Sequence, residues 1–139
     1  MSFEKKICVL SLSKVDITFK FMVGIIGAIK WLEGKKEPPH RYYFTEKKPK
    51  NGLPQGSKVL FSFESQIFGQ ATVKEDVKPV SNVANYKYYF TLDPTSIDIF
   101  RFYPTKEQIT EKLELRFAQL FTYINSEQYK AILEMTKKL

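Results

Sequence analysis

The hydrophobic pattern changes period several times along the chain, and each change predicts an element. ICVLSLS (Ile7 to Ser13) alternates well enough for a buried strand. DITFKFMVGIIGAIKWLEG follows and is too continuously apolar for a typical strand. Phe21, Ile25, Ala28, Ile29 and Leu32 recur at helical spacing, with Asp16 as N-cap and Gly34 as C-cap. Gly24 and Gly27 weaken that helix unless another backbone packs closely against them. Between Lys35 and Ser57, four prolines (Pro38, Pro39, Pro49, Pro54), Asn51–Gly52 and Gly56 mark loops around a short strand, RYYFT.

SKVLFSFESQIFGQATVKEDV is the clearest hairpin. Val59, Phe61 and Phe63 alternate with Leu60 and Ser62. On the return strand Ile67, Gly69, Ala71 and Val73 alternate with Phe68, Gln70 and Thr72. Gly69 inside a strand points to a bulge or a close approach. YKYYFTL and SIDIFRFY read as two more strands, broken by Asp93–Pro94 and ended by Pro104. Thr105 with Gln108 forms a capping box for a helix, TKEQITEKL. RFAQLFTYI leans towards strand, and Asn125 with Gln128 caps a last helix presenting Tyr129, Ile132, Leu133 and Thr136 on one face. Lys137 and Lys138 suit its C-terminus. Together these elements predict an α+β fold, a compact antiparallel β-barrel or sheet of about five to six strands flanked by helices, in a single domain spanning 1–139.

Charge adds what the pattern cannot. The net charge is +7. From Lys30 to Lys58 there are eight Lys/Arg against three Asp/Glu, whereas from Val59 onward the two balance at ten each. The excess therefore sits around EGKKEPPHRYYF, either as a polyanion-capturing surface or as a lysine-rich solvated loop. The longest apolar run, Phe21 to Ile29, is nine residues. That is well short of the ~20 a membrane-spanning helix needs. One cysteine, Cys8, excludes an internal disulfide framework, and one histidine with one distant cysteine cannot build a zinc site. No cofactor is expected, and a cytoplasmic location fits. Catalytic-triad, HExxH, P-loop and dinucleotide signatures are absent.

The candidate contact residues follow from this segment. Lys35, Lys36, Arg41, Lys47, Lys48 and Lys50 could line a phosphate track, and Trp31, Tyr42 and Tyr43 could stack a base. Tyr42 and Tyr43 should point to opposite faces of their strand, so one faces a ligand while the other packs. Trp31 fits a core plug as well as a platform. His40 could donate to a phosphate or stand in a solvated loop.

ICVLSL, a helix, GKKEPPHR, LPQGSKVLFSF and IFGQATV, in that order, resemble the PUA-like superfamily, in particular its ASCH and EVE branches, over roughly residues 6 to 78. NSEQYKAIL resembles the closing helix of EVE domains. Gly34, Lys36 and Arg41 fall on the family's Gly-x-Lys-x-x-Glu-x-Arg pattern. Pro39 stands at the glutamate position, with Glu37 two residues upstream. The resemblance implies a non-catalytic nucleic-acid-binding module, an RNA or DNA modified-base reader. Such modules deliver target recognition to a larger complex or chain, as in modification-dependent restriction. The alternatives are an ASCH-type amidohydrolase acting on modified nucleosides, with Lys36, Glu37 and a threonine in its site, or a protein-interaction domain with partner subunits. The missing glutamate and the basic loop weigh against the hydrolase.

Overall fold

The computed structural model describes residues 5–12, 24–44, 52–81, 86–117 and 121–137. Among these the chain runs β1 (Ile7–Leu12), α1 (Gly24–Gly34), β2 (Arg41–Phe44), β3 (Lys58–Phe63), β4 (Gln66–Pro79), β5 (Tyr88–Leu92), a 3-10 turn (Pro94–Ser96), β6 (Asp98–Ile99), α2 (Lys106–Leu113), β7 (Phe121–Tyr123) and α3 (Ser126–Lys137). The expected α+β architecture is present, with seven strands where five to six were expected.

The strand order is β2-β5-β4-β3-β1-β7, with β6 beside β4, and the sheet is not closed into a barrel. All pairs are antiparallel except β1 with β3. β4 is long enough to pair first with β3 and then, past two register breaks, with β5. Bulges add twist, so the sheet curls. Its two end strands meet across the interior, where the Phe44 and Phe121 rings lie 5.5 Å apart.

Two apolar clusters form, one on each side of the central strands. Cys8, Leu10, Val59, Phe61, Phe63, Phe68, Phe90 and Leu92 join Ala28 and Leu32 of α1. Val9, Leu60 and Ile67 join Ile109 and Ile132 of α2 and α3. Both faces of β3 are thus covered, which is why its sequence is apolar at almost every position.

The hairpin turn is Glu64–Ser65, both at left-handed φ (50° and 65°), as a two-residue connection with strand-matched twist requires. Its return strand differs from the simple alternation. Phe61 faces Gly69 but Ser62 faces Ile67, so Phe68 is an extra residue and joins the Ala71–Val73 side in place of Ile67. A one-residue insertion reverses the side-chain parity beyond it. Gly69 lies at that bulge under α1. A Cβ there would stand 2.7 Å from Leu32 Cδ2 and 3.0 Å from the Asp98 carbonyl oxygen, the close approach its sequence position suggested.

SIDIFRFY contributes only the two residues of β6. The Asp93 carboxylate accepts from Thr95 N–H (3.0 Å) and Thr95 Oγ1 (2.8 Å), winding the preceding segment into the 3-10 turn. Beyond β6 the chain peels away, and Phe102 N–H donates to Thr136 in α3 (3.1 Å). Both capping boxes are present: Thr105 with Gln108, and Asn125 with Gln128. Ile132 and Thr136 are buried on the expected face of α3, with Tyr129 and Leu133 at its margins. Asp16, Phe21 and Lys138 lie outside the described residues. No described helix is long and apolar enough to cross a membrane.

Candidate nucleic-acid interface

The proline-rich segment after α1 is wound tightly. Lys35, Lys36 and Glu37 N–H groups donate back to Leu32, Glu33 and Gly34 (3.0, 3.1 and 3.2 Å), and His40 N–H donates to Glu37 (3.2 Å). The Pro38–Pro39 peptide is cis and His40 has φ 61°. His40 was open between a phosphate donor and a solvated loop residue; the structure makes it a latch. Its Nδ1 lies 2.8 Å from the Lys35 carbonyl oxygen, which can only accept, so Nδ1 carries the proton. The His40 carbonyl accepts from Leu92 N–H at 2.7 Å, fixing the entry of β2 against β5.

Period-two alternation then sorts the RYYF strand. Tyr42 (3% exposed) and Phe44 (0%) point into the core, while Arg41 and Tyr43 stay half-exposed on the other face. Tyr42 meets Trp31 edge-on at 5.8 Å and Phe90 at 5.4 Å. Trp31 also packs edge-on to Phe61 at 5.8 Å, and Lys35 Nζ lies 5.1 Å from its ring centre. Burial lowers the Lys35 ammonium pKa below the ordinary lysine range. Tyr42 is therefore a core residue, while Trp31 packs half-buried against the core with Lys35 beside its ring. Lys36 and Glu37 are exposed on the turn. Lys47, Lys48 and Lys50 lie outside the described residues.

The outer face has a different composition. The Arg41 guanidinium stacks 4.2 Å above the Tyr89 ring. Tyr43 lies 5.8 Å from Tyr89 and 5.7 Å from Tyr86. Register explains the assembly: Tyr43 faces Tyr89 across the β2–β5 pair, Arg41 faces Thr91, and β4 adds Glu75 opposite Thr91 and Lys78 opposite Tyr89. A hydrogen bond to Tyr43, followed by the nearby Tyr89 and Glu75, raises the Arg41 pKa and holds it charged. Glu75 and Lys78 pair at 3.0 Å at the margin, which lowers the carboxyl and raises the ammonium. Exposed as it is, that pair contributes little to stability. Together the face offers phenol rings for stacking and a planar cation able to grip a phosphate through two parallel hydrogen bonds.

Of the expected residues, Arg41 and Tyr43 come together there. Tyr86 and Tyr89 complete the face and were not singled out from sequence. YKYYFTL does carry four aromatics, Tyr86, Tyr88, Tyr89 and Phe90, but only the β2–β5 register puts Tyr89 beside Tyr43. A pocket of about 640 Å³ lies elsewhere, lined by Phe102, Tyr103, Gln108, Lys112, Glu134 and Met135, and takes no residue from β2.

No family model and no curated protein matches the chain in sequence. Solved structures do match in fold. The ASCH protein of Zymomonas mobilis superimposes with a TM-score of 0.62 at 12% identity, covering 95% of this chain and 96% of that one. The YTH domain of Zygosaccharomyces rouxii MRB1, solved in complex with N6-methyladenosine RNA, gives 0.53 at 15%, covering 97% and 88%. Human THYN1, solved in complex with 5-methylcytosine-containing DNA, gives 0.59 at 8%, covering 97% and 99%. The chain thus shares the fold of these domains, in keeping with the PUA-like fold that the sequence resemblance implied.

Proposed function

We propose that this chain is a non-catalytic nucleic-acid-binding module that recognises a modified base and presents its target to a further domain or subunit. The observation that carries the reading is the outer face of β2 and β5, where the Arg41 guanidinium lies over the Tyr89 ring beside Tyr43, with Arg41 and Tyr43 in the basic Lys30–Lys58 segment. Stacked aromatics accept any base at ~1–3 kcal/mol each, and an adjacent guanidinium supplies the phosphate contact. The fold supports the same reading, since two domains sharing it were solved with base-modified RNA and DNA.

The test is fluorescence anisotropy across a salt series with short single-stranded RNA, single-stranded DNA and duplex DNA, each with and without methylated adenine or cytosine. Binding should weaken with salt and strengthen for one modified base. It should also fall in an Arg41→Ala/Tyr89→Ala variant that keeps its fold by circular dichroism. Absence of binding at low salt would overturn the proposal.

A further inference from the structure

β4 connects the tyrosine face to a second basic feature. A pocket of about 300 Å³ is lined by Lys5, Gln55, Gly56, Thr72, Val73, Lys74 and Asp93. Its floor is held by backbone pairing: Gly56 N–H donates to the Val73 carbonyl and Val73 N–H to the Ser57 carbonyl, both at 2.8 Å. Gly56 has φ +92°, and a Cβ there would stand 2.6 Å from Lys5 Cε. The absent side chain is what lets the Lys5 stem cross the turn and bring its ammonium to the pocket. Lys58 Nζ, on the adjacent strand, donates to Thr72 Oγ1 at 3.1 Å and so fixes that wall residue.

Asp93 is the carboxylate lining this pocket, and it is already committed. Hydrogen bonds from the Thr95 hydroxyl and N–H hold it ionised, below the usual aspartate range, while it caps the 3-10 turn. Two lysines, Lys5 and Lys74, against one engaged carboxylate, in a space of this size with a threonine and a glutamine at its wall, suit a phosphate group.

Position along β4 gives the pocket its partner. Val73 lies opposite Leu92, Glu75 opposite Thr91 and Lys78 opposite Tyr89. The pocket therefore adjoins the Arg41–Thr91 row, and the Tyr43–Tyr89 row follows. Along β5 the Val73–Leu92 and Lys78–Tyr89 rows are three residues apart, about 10 Å at ~3.3 Å per strand residue. That exceeds the reach of a mononucleotide's own phosphate from its stacked base, and a strand of several nucleotides spans it.

We infer that the Lys5–Lys74 pocket holds a backbone phosphate of the same single strand whose base stacks on the tyrosine face, the strand crossing the bend of β4 between them. This rests on the nucleic-acid reading above. The test measures affinity and salt slope for unmodified oligonucleotides of one to eight nucleotides. Wild type, Lys5→Ala/Lys74→Ala, Lys5→Arg/Lys74→Arg and Arg41→Ala/Tyr89→Ala are compared, with inorganic phosphate and pyrophosphate as competitors.

Wild-type affinity should rise with length once the strand spans both features. The Lys-to-Ala variant should match wild type on mononucleotides. On the longest probes it should bind about tenfold more weakly, with a salt slope shallower by about 0.7 per phosphate released. The Lys-to-Arg variant should restore both. If wild type binds and Arg41→Ala/Tyr89→Ala weakens it, while Lys5→Ala/Lys74→Ala binds every length like wild type, the pocket inference fails and the tyrosine face stands. If wild type binds no oligonucleotide, the reading beneath it fails as well. Phosphate or pyrophosphate binding as tightly as the longest strand, with no length dependence, would make this a small-anion site and overturn the inference.

Discussion

β2 carries aromatic residues on both faces, and their ring spacings barely differ. On the inner face Tyr42, Phe44 and Phe90 lie 5.4 to 6.1 Å from one another; on the outer face Tyr43 lies 5.7 and 5.8 Å from Tyr86 and Tyr89. What separates the faces is closure. Phe121 and Trp31 seal the inner cluster, so its rings give up solvent almost completely, at ~25 cal/mol per Å² of apolar surface. Among the described residues the outer cluster is capped by the Arg41 guanidinium, and Tyr43 and Tyr89 stay partly exposed. Its phenol rings are prepaid in geometry, held by register, yet still open to a ligand. Ring contact alone therefore does not tell a core from an interface; access does.

The sharpest way to break this comparison is to truncate one ring on each face. Phe44→Ala, at a position with no exposure, should cost ~3–5 kcal/mol in urea unfolding. A loss below ~1 kcal/mol would mean the inner face is not sealed. Cys8 reports on the same interior. Burial pushes its thiol from the ordinary value of 9.0 to about 12, so the buried thiol's contribution is intact below pH 9 and lost as pH rises towards 12. Native protein should resist a thiol reagent at pH 8 and react promptly in urea; fast native labelling would refute the burial.

Tyr89→Ala should do the reverse of Phe44→Ala. It should lose ~1–3 kcal/mol of oligonucleotide binding with little change in the unfolding midpoint. A large stability loss without a binding change would make the outer face structural. Arg41→Lys keeps the charge but not the flat stacking surface. It should weaken binding by severalfold, less than Arg41→Ala, while leaving most of the salt slope in place. Smallest of all, Glu75→Gln breaks an exposed ion pair and should leave the urea midpoint where it was. It should also strengthen oligonucleotide binding slightly by removing a negative charge near Arg41. Weaker binding would mean Glu75 orients that guanidinium.

Local grammar made much of the fold legible. Both capping boxes, the β3–β4 hairpin and the α1 pattern are set by residues a few positions apart, and all are present. The parity change at Phe68 was hidden, because a bulge is a property of the pair rather than of either strand. SIDIFRFY was overread because Asp93 turns the chain into a 3-10 segment before a longer strand can form. The site followed the same division. Alternation within RYYF separated Arg41 and Tyr43 from Tyr42 and Phe44, but Tyr89 joins them only through a register that no single segment encodes. Charge counting located the basic segment without showing that His40 and Lys35 are engaged in holding the turn together.

The one parallel pair has a further consequence, for the order in which the chain can assemble. β1 lies between β3 and β7, and Cys8 is partnered by both Val59 and Tyr123. β1 precedes both of these neighbours in the chain, so neither edge can close as it does here until β3 and then β7 have been made. Such distant pairings close slowly, because a long loop must be ordered before the contact rewards it. During synthesis the apolar ICVL segment therefore waits for β3 and then, with one edge still open, for β7, the kind of edge that recruits wrong partners. A core strand made before both its neighbours is enclosed only when β7, far down the chain, has joined it.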